Sequence, residues 1–425
     1  MPDGNDAITV KVLTGIDEAD QQGWNACAGP GNPFLSHAFL LALEESGSAT
    51  GKSGWQPSHL AAYDGAGRMV GAVPAYLKSH SYGEYVFDHA WANAFERAGG
   101  SYYPKLQVAV PFTPVPGPRL LVAPGPQAEA VADALVAALE QVTDRYGVSS
   151  AHVTFPERAD WDRLGQAGWL QRLGVQYHWH NRGYGSFDEF LEALNSRKRK
   201  AIRKERRQVA ESSVRLHTLT GDDLKPEHWD AFHRFYLDTA DRKWGGGYLN
   251  RRFFELLGRA MADRVVLVMC EDGGEWVAGA LNLLGDDALY GRNWGSDGSY
   301  RFLHFEACYY RALDFAIERG LARVEAGAQG EHKIQRGYLP RPLDRRSRLP
   351  PGGGPLSQAG APGGRGGDRR AGRGTVALPA GGLRPIPSRR APPRRRSPAP
   401  ARVPAAGRRR PAGPSASPPA APARG

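Results

Sequence analysis

The chain has little cysteine and no long apolar run, and both shortages narrow the class of protein. Its 425 residues include three cysteines, Cys27, Cys270 and Cys308, and none belongs to a CxxC pair. This spacing argues against a disulfide framework and a zinc knuckle, and no metal is expected. No stretch approaches the roughly 18 consecutive apolar residues that a membrane span requires. The acidic N-terminus, Met1–Asp6, lacks the apolar segment of a signal peptide, so we expect a cytoplasmic protein.

Residues 341–425 lack aromatic residues and lysine altogether. They contain 19 arginines and two aspartates, a net charge of +17, whereas the rest of the chain carries −6. With so little apolar surface to offset the entropy of ordering, this tail is predicted to be disordered. Two explanations stay open. The tail either binds anionic polymers or is a GC-rich gene region translated out of frame, which would explain arginine without lysine.

Strand-like and helix-like segments alternate through residues 8–340, which predicts an α/β fold with mixed sheets flanked by helices. In each half, helices are followed by a hairpin, a strand, a helix and another strand. The glycine-containing turns Asp64–Gly67 and Asp272–Gly274 mark the two hairpins. We interpret this repetition as a duplication. The predicted domains are 1–174 and 175–340, followed by the tail 341–425.

A polar, glycine-rich segment follows the last predicted strand, Ala322–Glu325. Ligands of α/β sheets bind near the carboxyl ends of strands. A segment with so many polar residues and glycines is also poorly suited to pack in a hydrophobic core. Its candidate site residues are Glu325, Gln329, Glu331, His332 and Lys333. Acylation of an amine needs a base that titrates near neutral pH, so His332 is the first candidate, with Glu331 and Glu325 as alternatives. Lys333 is suited to hold a phosphate or the developing oxyanion.

Two basic or polar segments supply further candidates. His178, His180 and Arg182 alternate on a predicted strand and share one face, where we expect them to line a cleft between the halves. Arg197 and Arg203 lie on a densely basic predicted helix, which either is a solvated surface or binds a phosphate-bearing substrate or RNA.

The remaining candidates lie on a loop and on a strand. Asp241 and Trp244 precede three consecutive glycines, in a segment that is either a mobile lid or a simple loop. Arg292 and Asn293 lie on the strand predicted at Ala288–Trp294. All four are predicted to bind substrate.

Four motifs carry a resemblance to a known family. They are Asn32–His37 (NPFLSH), Pro111–Pro114 (PFTP), His178–Asn181 (HWHN) and Gly327–Lys333 (GAQGEHK). Over about residues 8–340 the chain resembles the FemAB-like predicted N-acyltransferases, within the GNAT superfamily and associated with peptidoglycan biosynthesis or recognition.

The resemblance implies two tandem GNAT-like domains and transfer of an acyl or aminoacyl group to an amine. The Fem enzymes use aminoacyl-tRNA as donor and a peptidoglycan precursor as acceptor. The acetyl-CoA loop of GNAT enzymes is absent here, so acyl-CoA and aminoacyl-tRNA both stay open as donors. The family continues beyond Pro340 with a strand and a helix, where this chain enters its tail. The second domain is therefore expected to be truncated, with an unpaired sheet edge and an uncovered apolar face.

Two other functions fit the same residues. One is a non-catalytic module that recognises an anionic peptidoglycan precursor. The other is an RNA-binding protein that uses the basic helix at 197–207, for which tRNA is a candidate partner.

Overall fold

The fold class predicted from the alternation of strands and helices is confirmed. A computed structural model describes residues 7–86, 88–244, 246–327, 330–348 and 375–377. These residues form mixed β-sheets flanked by helices, and they belong to one compact unit. Within the described ranges, no helix has the length and apolar character to cross a membrane.

The first two α-helices of the chain have N-termini that are capped by side chains. Asp20 accepts a hydrogen bond from the amide of Gly23, and Ser36 accepts one from the amide of Phe39. The strands are β1 (Thr9–Leu13), β2 (Trp55–Pro57), β3 (His59–Tyr63), β4 (Met69–Val73), β5 (Ala75–Lys78), β6 (Lys105–Val108), β7 (Leu121–Val122) and β8 (Ala151–Thr154). The helices are α1 (Gln21–Ala28), α2 (His37–Glu45), α3 (His89–Arg97), α4 (Ala128–Arg145) and α5 (Arg158–Gln166).

The second half has longer strands. They are β9 (Leu170–His180), β10 (Arg215–Thr220), β11 (Val265–Asp272), β12 (Glu275–Leu284), β13 (Ala288–Ser296), β14 (Arg323–Glu325), β15 (Leu339–Arg348) and β16 (Thr375–Ala377). The helices are α6 (Phe187–Glu192), α7 (Ser196–Ala210), α8 (Pro226–Trp244), α9 (Arg251–Ala260), α10 (Leu303–Phe305) and α11 (Arg311–Glu318). A π-helical turn, Glu306–Tyr310, links α10 to α11, and Glu331–Arg336 form a 3-10 helix.

The two halves repeat one topology. β1, β3 and β4 are antiparallel neighbours with α1 and α2 between the first two strands, and β10, β11 and β12 are arranged in the same way with α8 and α9. β6 and β8 are parallel and connected through α4, as β13 and β14 are through α10 and α11. This repetition supports the prediction of tandem units. The predicted boundary at Gly174 lies inside β9, and its position stays a prediction.

The prediction that the chain leaves the fold at Arg341 is wrong. β15 extends to Arg348 and pairs antiparallel with β9 on one side and β8 on the other, so the expected unpaired edge does not form there. Thr375–Ala377 also pair, parallel to β1. The other residues of the predicted tail, 349–374 and 378–425, lie outside the described residues.

The amino-acid composition predicted the wrong boundary because the arginines of β15 are not all exposed to solvent. Arg346 is 2% exposed, and its Nε and Nη1 donate hydrogen bonds to the carbonyls of Trp161 and Trp169 at 2.8 and 2.9 Å. Its guanidinium also stacks on the Trp161 ring, 4.1 Å from the centroid. Apolar side chains nevertheless remain uncovered nearby, since Leu173 and Val175 on β9 are 71% and 54% exposed.

An aromatic core joins the two halves. Phe34, from the NPFLSH motif, packs edge to face on Tyr290 of β13, with ring centroids 5.4 Å apart. Phe39 of α2 packs on Phe253 of α9 in the same manner at 5.8 Å. These contacts belong to the largest apolar cluster of the described residues and fix the first half against the face of β13.

Candidate functional site

A cavity of about 530 Å³ lies between the two halves. The first half contributes the loop between β5 and α3, and the second contributes α8, β13 and Gly327 after β14. Five aromatic side chains contribute to its wall: Tyr82, Tyr85, Tyr236, Tyr248 and Trp294. A cavity of this size with few polar groups is typical of a small-molecule site.

A buried ion cluster holds the loop wall in place. Lys105 on β6 is fully buried, and its Nζ lies 2.8 Å from Glu84 Oε2 and 2.7 Å from Asp88 Oδ2. It also donates to Ser81 Oγ at 2.9 Å. Although burial acts to raise it, the pKa of Asp88 is lowered to about 2 by the Lys105 ammonium. The first half therefore shapes one wall of the cavity through charge pairing inside its own core.

Strained backbone occurs where the halves meet. Phe112, from the PFTP motif, has φ of 56°, and Tyr85 has φ of 55°, a region that non-glycine residues rarely adopt. The Phe112 ring stacks on Tyr248, with centroids 5.1 Å apart. Its carbonyl accepts a hydrogen bond from Arg292 Nη2. Such outliers cluster at ligand sites, because the surrounding structure must hold them.

The parallel strands β13 and β14 diverge beside the cavity. They pair only from Ala288 to Tyr290 on β13, opposite Arg323 to Glu325 on β14. β13 then continues to Arg292 and Asn293, which line the cavity, and the chain leaving β14 reaches it at Gly327. The cavity thus opens at the carboxyl ends of a parallel pair, where α/β sheets bind ligands.

Glu325 is a buried carboxyl group at this end of β14. It is 5% exposed, and Arg323 Nε donates to its Oε1 at 3.0 Å. Its Oε2 has no hydrogen-bond partner among the described residues. Burial raises the pKa of Glu325 to about 7, an effect that Arg323 only partly offsets.

His178 faces Glu325 from the neighbouring strand β9. The two residues are register partners, and His178 Nε2 lies 3.8 Å from Glu325 Oε2. Burial lowers the pKa of His178 to about 3, so the imidazole is neutral at physiological pH. Its Nε2 is 3.1 Å from Gln176 Oε1, and Gln176 Nε2 donates to the carbonyl of Pro114 at 2.5 Å. Neither Glu325 nor His178 lines the cavity, but Gln176 connects the pair to Pro114, which does.

Lys333 lies beneath the same edge. The side chain is 1% exposed, and Nζ donates to the carbonyl of Gly327 at 2.8 Å. Burial lowers the pKa of Lys333 to about 8. The lysine therefore fixes the backbone that leaves β14, which is a more local contact than the predicted phosphate or oxyanion contact.

His332 does not line the cavity. The residue is exposed, and its Nε2 is 2.9 Å from the hydroxyl of Tyr309 on the π-helical turn. Tyr309 packs on His304, which does line the cavity, with ring centroids 5.5 Å apart. Partial desolvation, with Arg336 and Lys333 nearby, lowers the pKa of His332 below its usual value. The imidazole is thus connected to the cavity through two rings.

The other predicted residues fall into three groups. Arg292 and Asn293 line the cavity, and His180 lies on the His178 face with a buried Nε2 that has no hydrogen-bond partner in the described part of the chain. Exposed positions are occupied by Arg182, Arg197, Arg203 and Asp241. Gln329 lies outside the described residues, and Glu331 and Trp244 are described only by their places in the 3-10 helix and in α8.

Sequence analysis did not predict several residues of the cavity wall. They are those of the β5–α3 loop, together with Tyr236, Tyr248 and His304. Their only local signal is aromatic residues close to glycine, as at Tyr82, Gly83 and Tyr85. No group of three metal-ligating side chains was found among the described residues.

The protein belongs to a class in which two similar α/β units lie on either side of one cavity. Comparison with known families is consistent with this class. The FemAB-like model, described as peptidoglycan biosynthesis/recognition, matches residues 15–347. The chain therefore belongs to the FemAB-like family. The coarser prediction of a peptidoglycan-related transferase family is confirmed, whereas the reaction and its substrates stay predictions. The match includes most of β15, in agreement with its place in the sheet.

Solved structures with similar architecture are distant. L-PGS from Bacillus licheniformis is 11% identical, with 76% of this chain and 93% of that chain covered and a TM-score of 0.46. FemX is 11% identical, with 77% and 96% covered and a TM-score of 0.49. A tandem GNAT protein from the clavulanic acid biosynthesis pathway is 13% identical, with 82% and 99% covered and a TM-score of 0.45. No curated protein matches the chain significantly. Similarity at this level supports no conclusion about substrate.

Proposed function

We propose that the protein transfers an acyl or aminoacyl group to an amine in the cavity between its halves, with Glu325 as general base. One observation carries the proposal. A buried carboxyl group with a pKa of about 7, one of whose oxygens has no hydrogen-bond partner among the described residues, lies at the end of β14, two residues before Gly327 of the cavity wall. A base tuned to neutral pH by burial is what deprotonation of an ammonium requires.

The reaction proceeds in the following way. Glu325 accepts a proton from the acceptor ammonium, directly or through one water. The neutral amine then attacks the acyl carbon of the donor, and a C–N bond forms as the bond to the donor sulfur or oxygen breaks. The attacking nitrogen loses a second proton, which the leaving group takes up, and Glu325 releases the first proton to solvent. Arg292 and Asn293 supply hydrogen-bond donors at the cavity wall for the oxygen that becomes negative.

His332 acts as a positioning residue in this proposal. Its hydrogen bond to Tyr309 holds the ring that packs against His304, and His304 lines the cavity. Lys333 holds the carbonyl of Gly327 at the rim. Both residues keep the segment after β14 in place, although neither lines the cavity.

Family membership supports a peptidoglycan precursor with a free amine as the acceptor. The donor is an acyl-CoA or an aminoacyl-tRNA. The described residues favour neither, because Arg292 is the single Arg, Lys, Asp or Glu side chain among those that line the cavity.

Amide formation with each donor class tests the proposal. The purified protein is incubated with a precursor peptide that carries a free ε-amine, together with acetyl-CoA or with alanyl-tRNA, and the new amide is detected by mass spectrometry. Glu325→Gln should slow the transfer by about 100-fold or more, because general base catalysis is removed. Glu318→Gln provides the matched control, as this exposed glutamate ends the helix before β14.

Two outcomes would contradict the proposal in different ways. Full activity of Glu325→Gln would reject the carboxylate as base while leaving the transferase intact. Tight retention of the precursor peptide without amide formation from either donor would identify a recognition module instead.

A further inference from the structure

A second cavity, of about 520 Å³, lies against the C-terminal end of α7, β10 and the π-helical turn. None of its lining residues lines the first cavity. Four arginines, one histidine and one glutamate provide its titratable lining: Arg206, Arg207, Arg215, Arg311, His217 and Glu306. The wall of this cavity is therefore predominantly positive.

Arg206 is already neutralised by carboxylates. Its Nη2 lies 2.6 Å from Asp314 Oδ2 and 3.1 Å from Glu306 Oε1. The guanidinium also stacks over Phe187, 4.3 Å from the ring centroid. Arg206 thus forms a fixed base for the cavity, and its donors are used within the protein.

The other three arginines retain donors that no described residue accepts from. Among the residues that the structure describes, Arg207 has an acidic partner only in Glu211, at 3.8 Å, and both side chains are about two-thirds exposed. Arg215 donates one long hydrogen bond within the described part of the chain, of 3.5 Å, to the carbonyl of Ser212. The buried Nε of Arg311 is 3.4 Å from Glu306 Oε1 but makes no hydrogen bond to any described residue.

Three under-used guanidinium groups around one cavity repel each other unless an anion lies between them. Guanidinium groups match the geometry of phosphate oxygens and bind them in pairs, and a diphosphate offers more acceptors than a single carboxylate. The volume suits a small molecule. We propose that this cavity binds a small molecule through a diphosphate group held by Arg207, Arg215 and Arg311.

The location adds a reason to expect a ligand. Glu306 and Tyr309 belong to the same π-helical turn, and such turns are frequent at functional sites. Glu306 lines the second cavity, whereas Tyr309 packs on His304, which lines the first. The inference does not depend on the proposed transferase reaction, because it rests on a separate set of residues.

Binding of inorganic pyrophosphate to the full chain, measured by isothermal titration calorimetry, tests the proposal. The double variant R207Q/R215Q should weaken binding by about tenfold or more, since each lost contact is a charge-assisted hydrogen bond. The matched control is R197Q/R203Q, which removes the same charge from exposed positions of the same helix outside the cavity. The control should bind within about twofold of wild type. The arginines after Arg348 are the same in every variant and contribute equally to pyrophosphate binding. The difference in affinity between the two double variants therefore tests the cavity itself.

Three results would overturn the proposal. The first is equal weakening by both double variants, which would indicate diffuse attraction by the helix. The second is unchanged binding in R207Q/R215Q. The third is a single-stranded RNA that binds more tightly than pyrophosphate and is weakened mainly by R197Q/R203Q, which would assign the helix to nucleic acid.

Discussion

Glu325 Oε2 and His178 Nε2 face each other across neighbouring strands at 3.8 Å, and no hydrogen bond joins them. Because burial lowers the pKa of His178 to about 3, the imidazole carries no charge that could stabilise a carboxylate. Arg323 contacts only the other oxygen of Glu325. The carboxyl group is thus kept partly protonated near neutral pH, which makes both stability and activity depend on its proton.

The stability of the protein should decrease as pH rises, because the pKa of Glu325 is higher in the folded than in the unfolded state. Its pKa is raised from 4.5 to about 7 in the folded state, so the folded protein binds the proton more tightly than the unfolded chain. This contribution is fully present below the unfolded pKa and is lost as pH rises through the folded pKa. Relative to Glu325→Gln, the wild type should lose up to about 3 kcal/mol of unfolding free energy between pH 4.5 and pH 8.

Denaturant unfolding of both proteins at several pH values measures this difference. Glu318→Gln serves as the comparison, because it makes the same substitution at an exposed position. A parallel pH dependence of the wild type and Glu325→Gln would show that the carboxyl group titrates normally.

The rate of transfer should increase with pH through the pKa of Glu325. A general base must be ionised before it can accept a proton, so kcat/KM should rise with a midpoint near pH 7. In Glu325→Gln this limb should disappear, leaving a slow and nearly flat profile. A profile that keeps the same midpoint in Glu325→Gln would assign the titration to another group, and His332→Ala is the next variant to compare.

Replacing Lys105 should destabilise the first half and open the cavity wall. Lys105→Met leaves Glu84 and Asp88 buried without their common cation, and breaking a buried pair in this way costs about 3–5 kcal/mol. Thermal and denaturant unfolding measure the loss. Lys52→Met, at an exposed position, should change stability by less than about 0.5 kcal/mol. Equal stability of the two variants would show that the ion cluster does not support the loop.

Local patterns in the sequence were enough to predict most of the helices, strands and hairpins of the fold. Glycine-containing turns located the hairpins β3–β4 and β11–β12, and the strand before the GAQGEHK motif placed Glu325 at a strand end. The cavity wall needed contacts that no local pattern contains. Lys105 meets Asp88 across 17 residues, and the strained backbone of Phe112 is fixed by Arg292 from the other half. Composition gave a wrong boundary at Arg341, because it treats every arginine as solvated.

Arg346 tests whether β15 belongs to the folded protein. If the chain left the fold at Arg341, a substitution at this position would have no effect on stability. In the structure, Arg346→Met leaves the carbonyls of Trp161 and Trp169 without their donors inside the protein, at a cost of about 1–3 kcal/mol for each unsatisfied group. Arg341→Met, on an exposed position of the same strand, removes the same charge and should change stability by less than about 0.5 kcal/mol. Denaturant unfolding of the two variants separates these cases, and equal stability would return residues 341–348 to the tail.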